Sequence, residues 1–418
     1  MKRLITITAI LLLALSMKAQ EIFYSVGYYD VTSGTNAALY KNSERLYIVH
    51  KPTQTAQARH VACDSEGNAY WWVNLYNIPE NTLHHIEIWK NNEMYASTEG
   101  LSSIHLTDMY LLDDTLYYTG YQQSGNSVAV ATVWKGPDFT PHYILGDGIH
   151  TSIIYDADVD KSTNTPYFCG YIKDSLQKAS VWKASELLFK QEPWGSQRGS
   201  WAKEISLDNG DIYTLGILNY YTGYETVSWE YVWKNNANVF YSSDGYLGCL
   251  YASQGNYYFK CLVPHGWYHW IYKNNGGYYH LPGQAGINRI CGVLDDIYFI
   301  GKLNDQGCIW KNREVFFQPD NSTVLYDMAV FYANVGVHET IENAIAVYPN
   351  PTNGVLFVET QDLASLQDRT YRITNLMGQT LLKGTLSTEN QQIDITTLPA
   401  GMYFICVGEQ TAKFVVNK

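Results

Sequence analysis

Apolar and polar residues alternate along most of the chain in short runs, broken by turns rich in Asn, Asp and Gly. A period of two sends successive side chains to opposite faces of a pleated strand, so the runs predict half-buried β-strands. One pattern recurs within them: an aliphatic residue, then Tyr or Trp, then Lys, often then Asn. It reads Leu39-Tyr40-Lys41-Asn42, Ile88-Trp89-Lys90-Asn91, Val133-Trp134-Lys135, Val181-Trp182-Lys183, Val232-Trp233-Lys234-Asn235, Ile271-Tyr272-Lys273-Asn274 and Ile309-Trp310-Lys311-Asn312. The seven aromatic positions lie 38–51 residues apart.

A turn followed by Tyr, two residues and usually Gly precedes most copies, as in Asp114-Thr115-Leu116-Tyr117-Tyr118-Thr119-Gly120 and Asp296-Ile297-Tyr298-Phe299-Ile300-Gly301. Each unit therefore holds four strands, A to D; in the fourth they are expected at 151–158, 166–172, 178–184 and 186–190. Four strands per repeat with turns between describe a propeller blade, and seven copies predict an all-β, seven-bladed β-propeller. The first unit starts at strand B, and a spare strand at 323–331 is placed to complete it and latch the ring. Residues 21 to about 335 resemble bacterial propeller repeats built on a D-x-x-G-N-x-Y turn and a W-K-N strand. That resemblance implies fold and leaves function open.

Composition adds an address and removes partners. Aromatic residues make up 15% of the 418, with 36 Tyr, and the net charge is −12. An acidic chain lacks the electrostatic footprint of a nucleic-acid binder. Lys2 and Arg3 precede an apolar run from Leu4 to Leu15, which reads as a signal peptide over 1–19. The run is too short to span a bilayer, and no later stretch is long enough, so no transmembrane span is expected in the mature chain. Seven cysteines at irregular spacing leave at least one unpaired, and read as small buried hydrophobes.

In a four-strand meander the A–B and C–D turns share one face, and the B–C and D–A connections share the other. The first set is uniformly tight; the second varies, which makes it the candidate ligand face. Blade five supplies two of its longest loops. One, 190–200, carries Glu192, Trp194 and Arg198, with Trp201 just beyond; the other, 218–228, carries Tyr220, Tyr221, Tyr224 and Glu225. The B–C loop of blade six adds His265 and Trp267. Rings beside a few polar groups suit stacking on sugars or gripping a peptide. The assigned ligand set is Trp194, Arg198, Trp201, Tyr221, Tyr224, His265 and Trp267.

Other constellations carry less. Asp156-x-Asp158-x-Asp160 with Asn164 resembles a calcium loop, but Lys161 stands where the turn Gly belongs and the closing Glu is absent. No cofactor is assigned, calcium being the one candidate ion. His265 and His269, with His280 nearby, lack further identifiable ligands. His84 and His85 are expected on opposite faces of a strand. The Asp113-Asp114 and Asp295-Asp296 pairs fall in turns. No hydrolase, metalloprotease, phosphate-loop or sialidase motif occurs, and no catalytic residue is assigned.

The repeats stop near Asn334, and 335–343 reads as a linker. Residues 344–418 then alternate as a small immunoglobulin-like β-sandwich. Three motifs mark it: Tyr348-Pro349-Asn350-Pro351-Thr352-Asn353-Gly354, then Asn375-Leu376-Met377-Gly378-Gln379, then Leu398-Pro399-Ala400-Gly401-Met402-Tyr403. In order and spacing they resemble the type A C-terminal sorting domain of the type IX secretion system. The resemblance implies passage through the periplasm, recognition of 344–418 by the type IX machinery, and release or surface attachment in a Bacteroidota host. The functional expectation is a secreted or surface propeller that binds glycan or protein. The alternative is a propeller lyase or glycosidase, with His60, His105, Asp156, Asp158, Glu204 and Arg289 as channel-mouth candidates.

Overall fold

The computed structural model describes residues 20–31, 34–78, 80–125, 127–191, 197–243, 245–263, 268–281, 285–293, 295–319, 323–333, 346–359, 370–375, 379–386, 392–407 and 410–417. Residues Gln20–Ala333 form one compact unit. It contains seven antiparallel sheets, each of four strands in meander order. The A strands are Thr323–Ala333, Gln54–Cys63, Ile104–Leu112, Thr151–Asp160, Gln197–Asp208, Tyr246–Ser253 and Ala285–Val293. In the first blade Thr323–Ala333 pairs with Gln20–Val31, from Gln20 opposite Ala333 to Tyr29 opposite Thr323. The far end of the repeat array therefore closes the ring, as the spare strand predicted. The fourth blade's strands, Thr151–Asp160, Thr165–Lys173, Gln177–Lys183 and Glu186–Lys190, fall within two residues of expectation.

The repeated motif has a structural cause in each of its letters. The C-strand aromatics Trp134, Trp182 and Trp310 are fully buried between blades. The lysine that follows lies over the B-strand tyrosine in seven blades: Lys41 on Tyr24, Lys90 on Tyr70, Lys135 on Tyr117, Lys183 on Tyr167, Lys234 on Tyr213, Lys273 on Tyr258 and Lys311 on Tyr298, at 5.0–5.6 Å. Ammonium–ring attraction at that range adds roughly 0.5–1 kcal/mol at exposed sites. The asparagine opens the C–D hairpin in the left-handed region, at φ 54° for Asn42 and 48° for Asn235. Asn235 also donates its backbone N–H to the Ile212 carbonyl and accepts the Ile212 N–H at Oδ1, both at 2.8 Å. Asn42, Asn91, Asn274 and Asn312 make the same pair of bonds with the start of their own B strands.

The described residues from 346 onward form a second β-unit. Ala346–Tyr348, Val355–Glu359 and Gln392–Asp394 make one sheet, and Thr380–Thr385, Thr370–Asn375, Gly401–Val407 and Gln410–Val416 the other. Leu356, Ile373, Ile405 and Phe414 are among the residues of their shared core. Each sorting motif fixes a corner of this unit. Asn350 Oδ1 accepts the Val415 N–H at 3.0 Å, Asn375 Oδ1 accepts the Gln379 N–H at 3.0 Å, and Tyr403 Oη donates to the Pro399 carbonyl at 2.8 Å. All seven cysteines are free thiols. No helix among the described residues is long and apolar enough to cross a membrane.

Candidate functional site in the central channel

Every A strand carries a register shift at the same level, against its own B strand. A bulge leaves a residue unpaired and re-aims its side chain. The residues placed there are Tyr326, Arg59, Thr107, Tyr155, Lys203, Cys249 and Asn288, one per blade. All seven line the channel cavities of about 330 and 170 Å³. The larger of these two also reaches Trp72, Asn74 and Leu83, towards the B–C end of blade two. It therefore belongs to the variable-loop face. A cavity of about 530 Å³, lined by the A–B turns around Lys161 and Asn209, opens on the tight-turn face. The sequence reading gave that face no role.

The repeated glycine of the Tyr-x-x-Gly motif answers the bulge. A Cβ on Gly170 would sit 1.9 Å from the Ile153 carbonyl oxygen, and one on Gly27, Gly120 or Gly301 equally close to its own A-strand carbonyl. In these blades a side chain at that position would run into the A-strand backbone, whereas blades two and six carry Val73 and Lys260 there.

Behind the collar lies a ring of charge. Asp327, His60, Asp108, Asp156, Glu204 and Arg289 follow the bulges directly. Four of these side chains clamp the next blade. Asp327 accepts the Val61 N–H at 3.1 Å, Asp108 that of Ala157 at 3.2 Å, and Asp156 that of Ile205 at 2.8 Å. Glu204 accepts the N–H groups of Cys249 and Leu250. Arg289 faces all three cavities and places Nε 3.6 Å from Asp327 Oδ1.

Burial pushes Asp108 up to about 6, with Arg289 pulling the other way, and drives Asp156 well above the usual carboxylate range with help from Asp108. Burial likewise raises Asp158 and Asp327. Burial, then the Arg289 and Arg59 guanidinium charges, lowers His60 to about 3, so its 3.5 Å approach to Asp108 joins a neutral ring to a carboxyl. Burial disfavours the Arg289 cation, but Asp327, Asp156, Asp108 and Glu204 more than offset it and hold the guanidinium charged. Asp108 and Asp156 are both engaged by backbone N–H groups of the following blade.

Of the enzyme candidates, His60, Asp156, Glu204 and Arg289 do converge on the channel, and Asp158 lines the opposite cavity. His105 does not join them; it is exposed and stacks on Tyr121 at 4.6 Å. Asp108, Asp327 and the bulge residues escaped the sequence reading. In five blades the signal was present in the glycines: Gly27, Gly120, Gly170, Gly216 and Gly301 each face a bulge, and the bulge marks the channel residue.

The predicted loop cluster is reached only in part. Trp194, His265 and Trp267, like Glu192, lie outside the described residues. Arg198 sits over the Tyr221 ring at 4.8 Å. Tyr221 Oη donates to the Gly223 carbonyl, and Tyr224 stands 98% exposed. Trp201 is half-buried in the A strand, opposite Ile217. Blade five also carries a platform the loop reading missed. Trp229 stacks on Tyr241 at 5.6 Å and 11°, and the Tyr220 ring lies 5.0 Å from Trp229, tilted by 48°. The alternation Trp229, Tyr231, Trp233 was its signal.

The possible calcium run does not converge. Asp156 and Asp158 bond separately to Ile205 and Leu207, while Asp160 caps its own turn through Ser162 and Thr163. His84 and His85 correct an expectation: a register shift between Leu75 and Tyr76 falls at His84, and the two rings meet instead of pointing apart.

Comparison with known proteins bears on the two units differently. The chain is 26% identical over 149 residues to beta-agarase A of Zobellia galactanivorans, covering 35% of this chain and 26% of that protein. It thus spans about a quarter of that relative's length. Similar solved structures include the β-propeller domain of the Trilobed protease of Pyrococcus furiosus (10% identity, 73% of this chain and 95% of that one, TM-score 0.39). Others are a periplasmic gluconolactonase of Pseudomonas aeruginosa (10%, 75% and 99%, 0.40) and an alpha-L-arabinanase of Penicillium chrysogenum (8%, 68% and 94%, 0.39). Scores this low carry no argument about activity, and the propeller is read from its own sheets. Residues 346–418 match the family model described as the secretion system C-terminal sorting domain. They are a type IX sorting domain, and the protein is a propeller cargo exported by that system to the cell surface or the medium.

Proposed function

We propose that the propeller is a binding module for an extracellular glycan, received in the channel mouth on the variable-loop face after passage through the periplasm. The observation that carries this reading is the collar. Seven equivalent positions hold Tyr326, Arg59, Thr107, Tyr155, Lys203, Cys249 and Asn288, no two neighbours alike in chemistry. A ring held in one geometry but varied in side chain is suited to asymmetric recognition. Aromatic faces with directed polar groups are the usual lining of a small-ligand site. Arg59 lies 4.0 Å over Tyr326 and keeps its Nε–H without a hydrogen-bond partner. The beta-agarase relative, by its name a polysaccharide enzyme, puts glycans first among ligands to try. Arg198, Trp201, Tyr221 and Tyr224, with Trp194, His265 and Trp267, are a second contact area for a longer chain.

A glycan array probed with the full chain tests this. Binding that falls at least tenfold in Arg59→Ala and Tyr326→Ala supports the channel. Loss in Arg198→Ala and Tyr221→Ala alone moves the site to blade five. Absence of glycan binding by the unaltered chain overturns the glycan reading and turns attention to a protein ligand.

A further inference from the structure

We infer that His84, His85 and Glu99, on blade two, form a binding site for a zinc-class divalent cation. Among the described residues this is the one group of His, Cys, Asp or Glu whose ligand atoms all approach within 4.8 Å of one another. No described group in the channel is so arranged.

The backbone builds the site. His84 and His85 open the C strand Leu83–Lys90, and the shift at His84 turns both imidazoles to one side. Glu99 comes from the D–A connection of the same blade. Its turn is tied to the histidine strand at both ends of a local clasp: Thr98 N–H donates to the Ile86 carbonyl at 2.9 Å, and Ile86 N–H donates to Thr98 Oγ1 at 3.0 Å. Glu99 N–H donates to Ser97 Oγ, and Gly100 takes φ +78° to close the turn. Three potential ligands are thus carried by paired backbone on the variable-loop face.

The histidines present both Nδ1 atoms to one point. They are 2.5 Å apart, one ring's N–H donating to the other ring's lone pair. A cation bound there would take that proton's place. A tetrahedral zinc with Zn–N bonds of about 2.0–2.1 Å would hold them ~3.3 Å apart, a small rotation of the exposed His84 ring. The remote nitrogen of His85 is also arranged as in a metal-bound histidine. His85 is buried, its Nε2 has no hydrogen-bond partner, and it faces Glu87 Oε1 at 3.5 Å. Glu87 is itself held by Lys51 Nζ at 2.7 Å and by Trp89 Nε1 at 3.1 Å. Metal-ligating histidines commonly direct the other ring nitrogen at such a fixed carboxylate, which sets tautomer and orientation. Two imidazoles and one carboxylate suit zinc, nickel or copper rather than calcium or magnesium, and they leave a fourth position for water or a ligand atom.

The test is a zinc titration of the chelator-treated full chain by calorimetry at neutral pH, repeated with His84→Ala and Glu99→Gln. Both positions are exposed, so the variants should melt as the parent does without metal. One equivalent of zinc, with affinity at least tenfold weaker in each variant, is the expected result. Cobalt loaded in place of zinc should give the visible bands of a nitrogen–oxygen tetrahedral site. No saturable binding, or equal binding by parent and variants, overturns the site. A cobalt–thiolate charge-transfer band would do so as well, because it would place the metal on a cysteine.

Discussion

The outer hairpins and the inner strands of this propeller follow opposite rules. The B and C strands repeat: the same lysine covers the same tyrosine in every blade, and asparagine closes the same hairpin in five. The A strands share their bulge and, in four blades, a carboxylate that holds the next blade, while the residue at the bulge itself differs from each neighbour's. Residues that solve a problem common to all blades are repeated, whereas residues at one non-symmetric centre are free to differ. Repetition in this chain therefore marks structure, and the break in repetition marks the site.

Four substitutions sharpen that contrast. Gly170→Ala drives a methyl into the Ile153 carbonyl and should cost about 3 kcal/mol, read as a lowered urea midpoint. An unchanged midpoint would mean the bulge can flatten. Arg289→Met removes the counterion of four channel acids. Loss of one partner of a fully buried pair costs about 3–5 kcal/mol. Arg289 keeps 40% of its surface open, so about 2 kcal/mol is expected, and less at low pH where Asp108, Asp156 and Asp327 are neutral.

Asp108→Asn addresses pH. The folded-state value of Asp108, about 6, lies above the ordinary 3.8. The folded protein thus holds this proton more tightly, and the stabilisation it brings is complete below about 3.8 and lost as pH rises to about 6. The parent should lose stability relative to Asp108→Asn across that window, on the order of 2 kcal/mol. Parallel urea-midpoint curves from pH 3.5 to 7 would show that Asp108 does not carry the effect. Asn235→Ala is the smallest change. It deletes the cap on Ile212 N–H in a single blade and should cost about 1 kcal/mol, with glycan binding untouched.

Much of the fold was legible because its determinants are local. Alternation, two-residue hairpins and a fixed aromatic-Lys-Asn order are set within ten residues of sequence, and the spare strand at 323–331 announced ring closure. The sorting motifs were legible for the same reason: Asn350, Asn375 and Tyr403 each fix one corner. The channel was half legible. His60, Asp156, Glu204 and Arg289 were in view as charged residues of A strands, while Asp108 and Asp327 were not. A bulge shifts alternation by one residue, so periodicity alone misassigns the face of whatever follows it. The same error separated His84 from His85.

The sequence by itself determined seven blades, the latch, the turn chemistry and the export address, since each rests on neighbours along the chain. Only the tertiary structure decided which acids meet Arg289, which seven residues form the collar, and that two adjacent histidines face a glutamate from another connection. Those contacts join positions up to 267 residues apart, as Arg59 and Tyr326 are. Their chemistry is set by burial and by charges from other blades, and no local pattern encodes either.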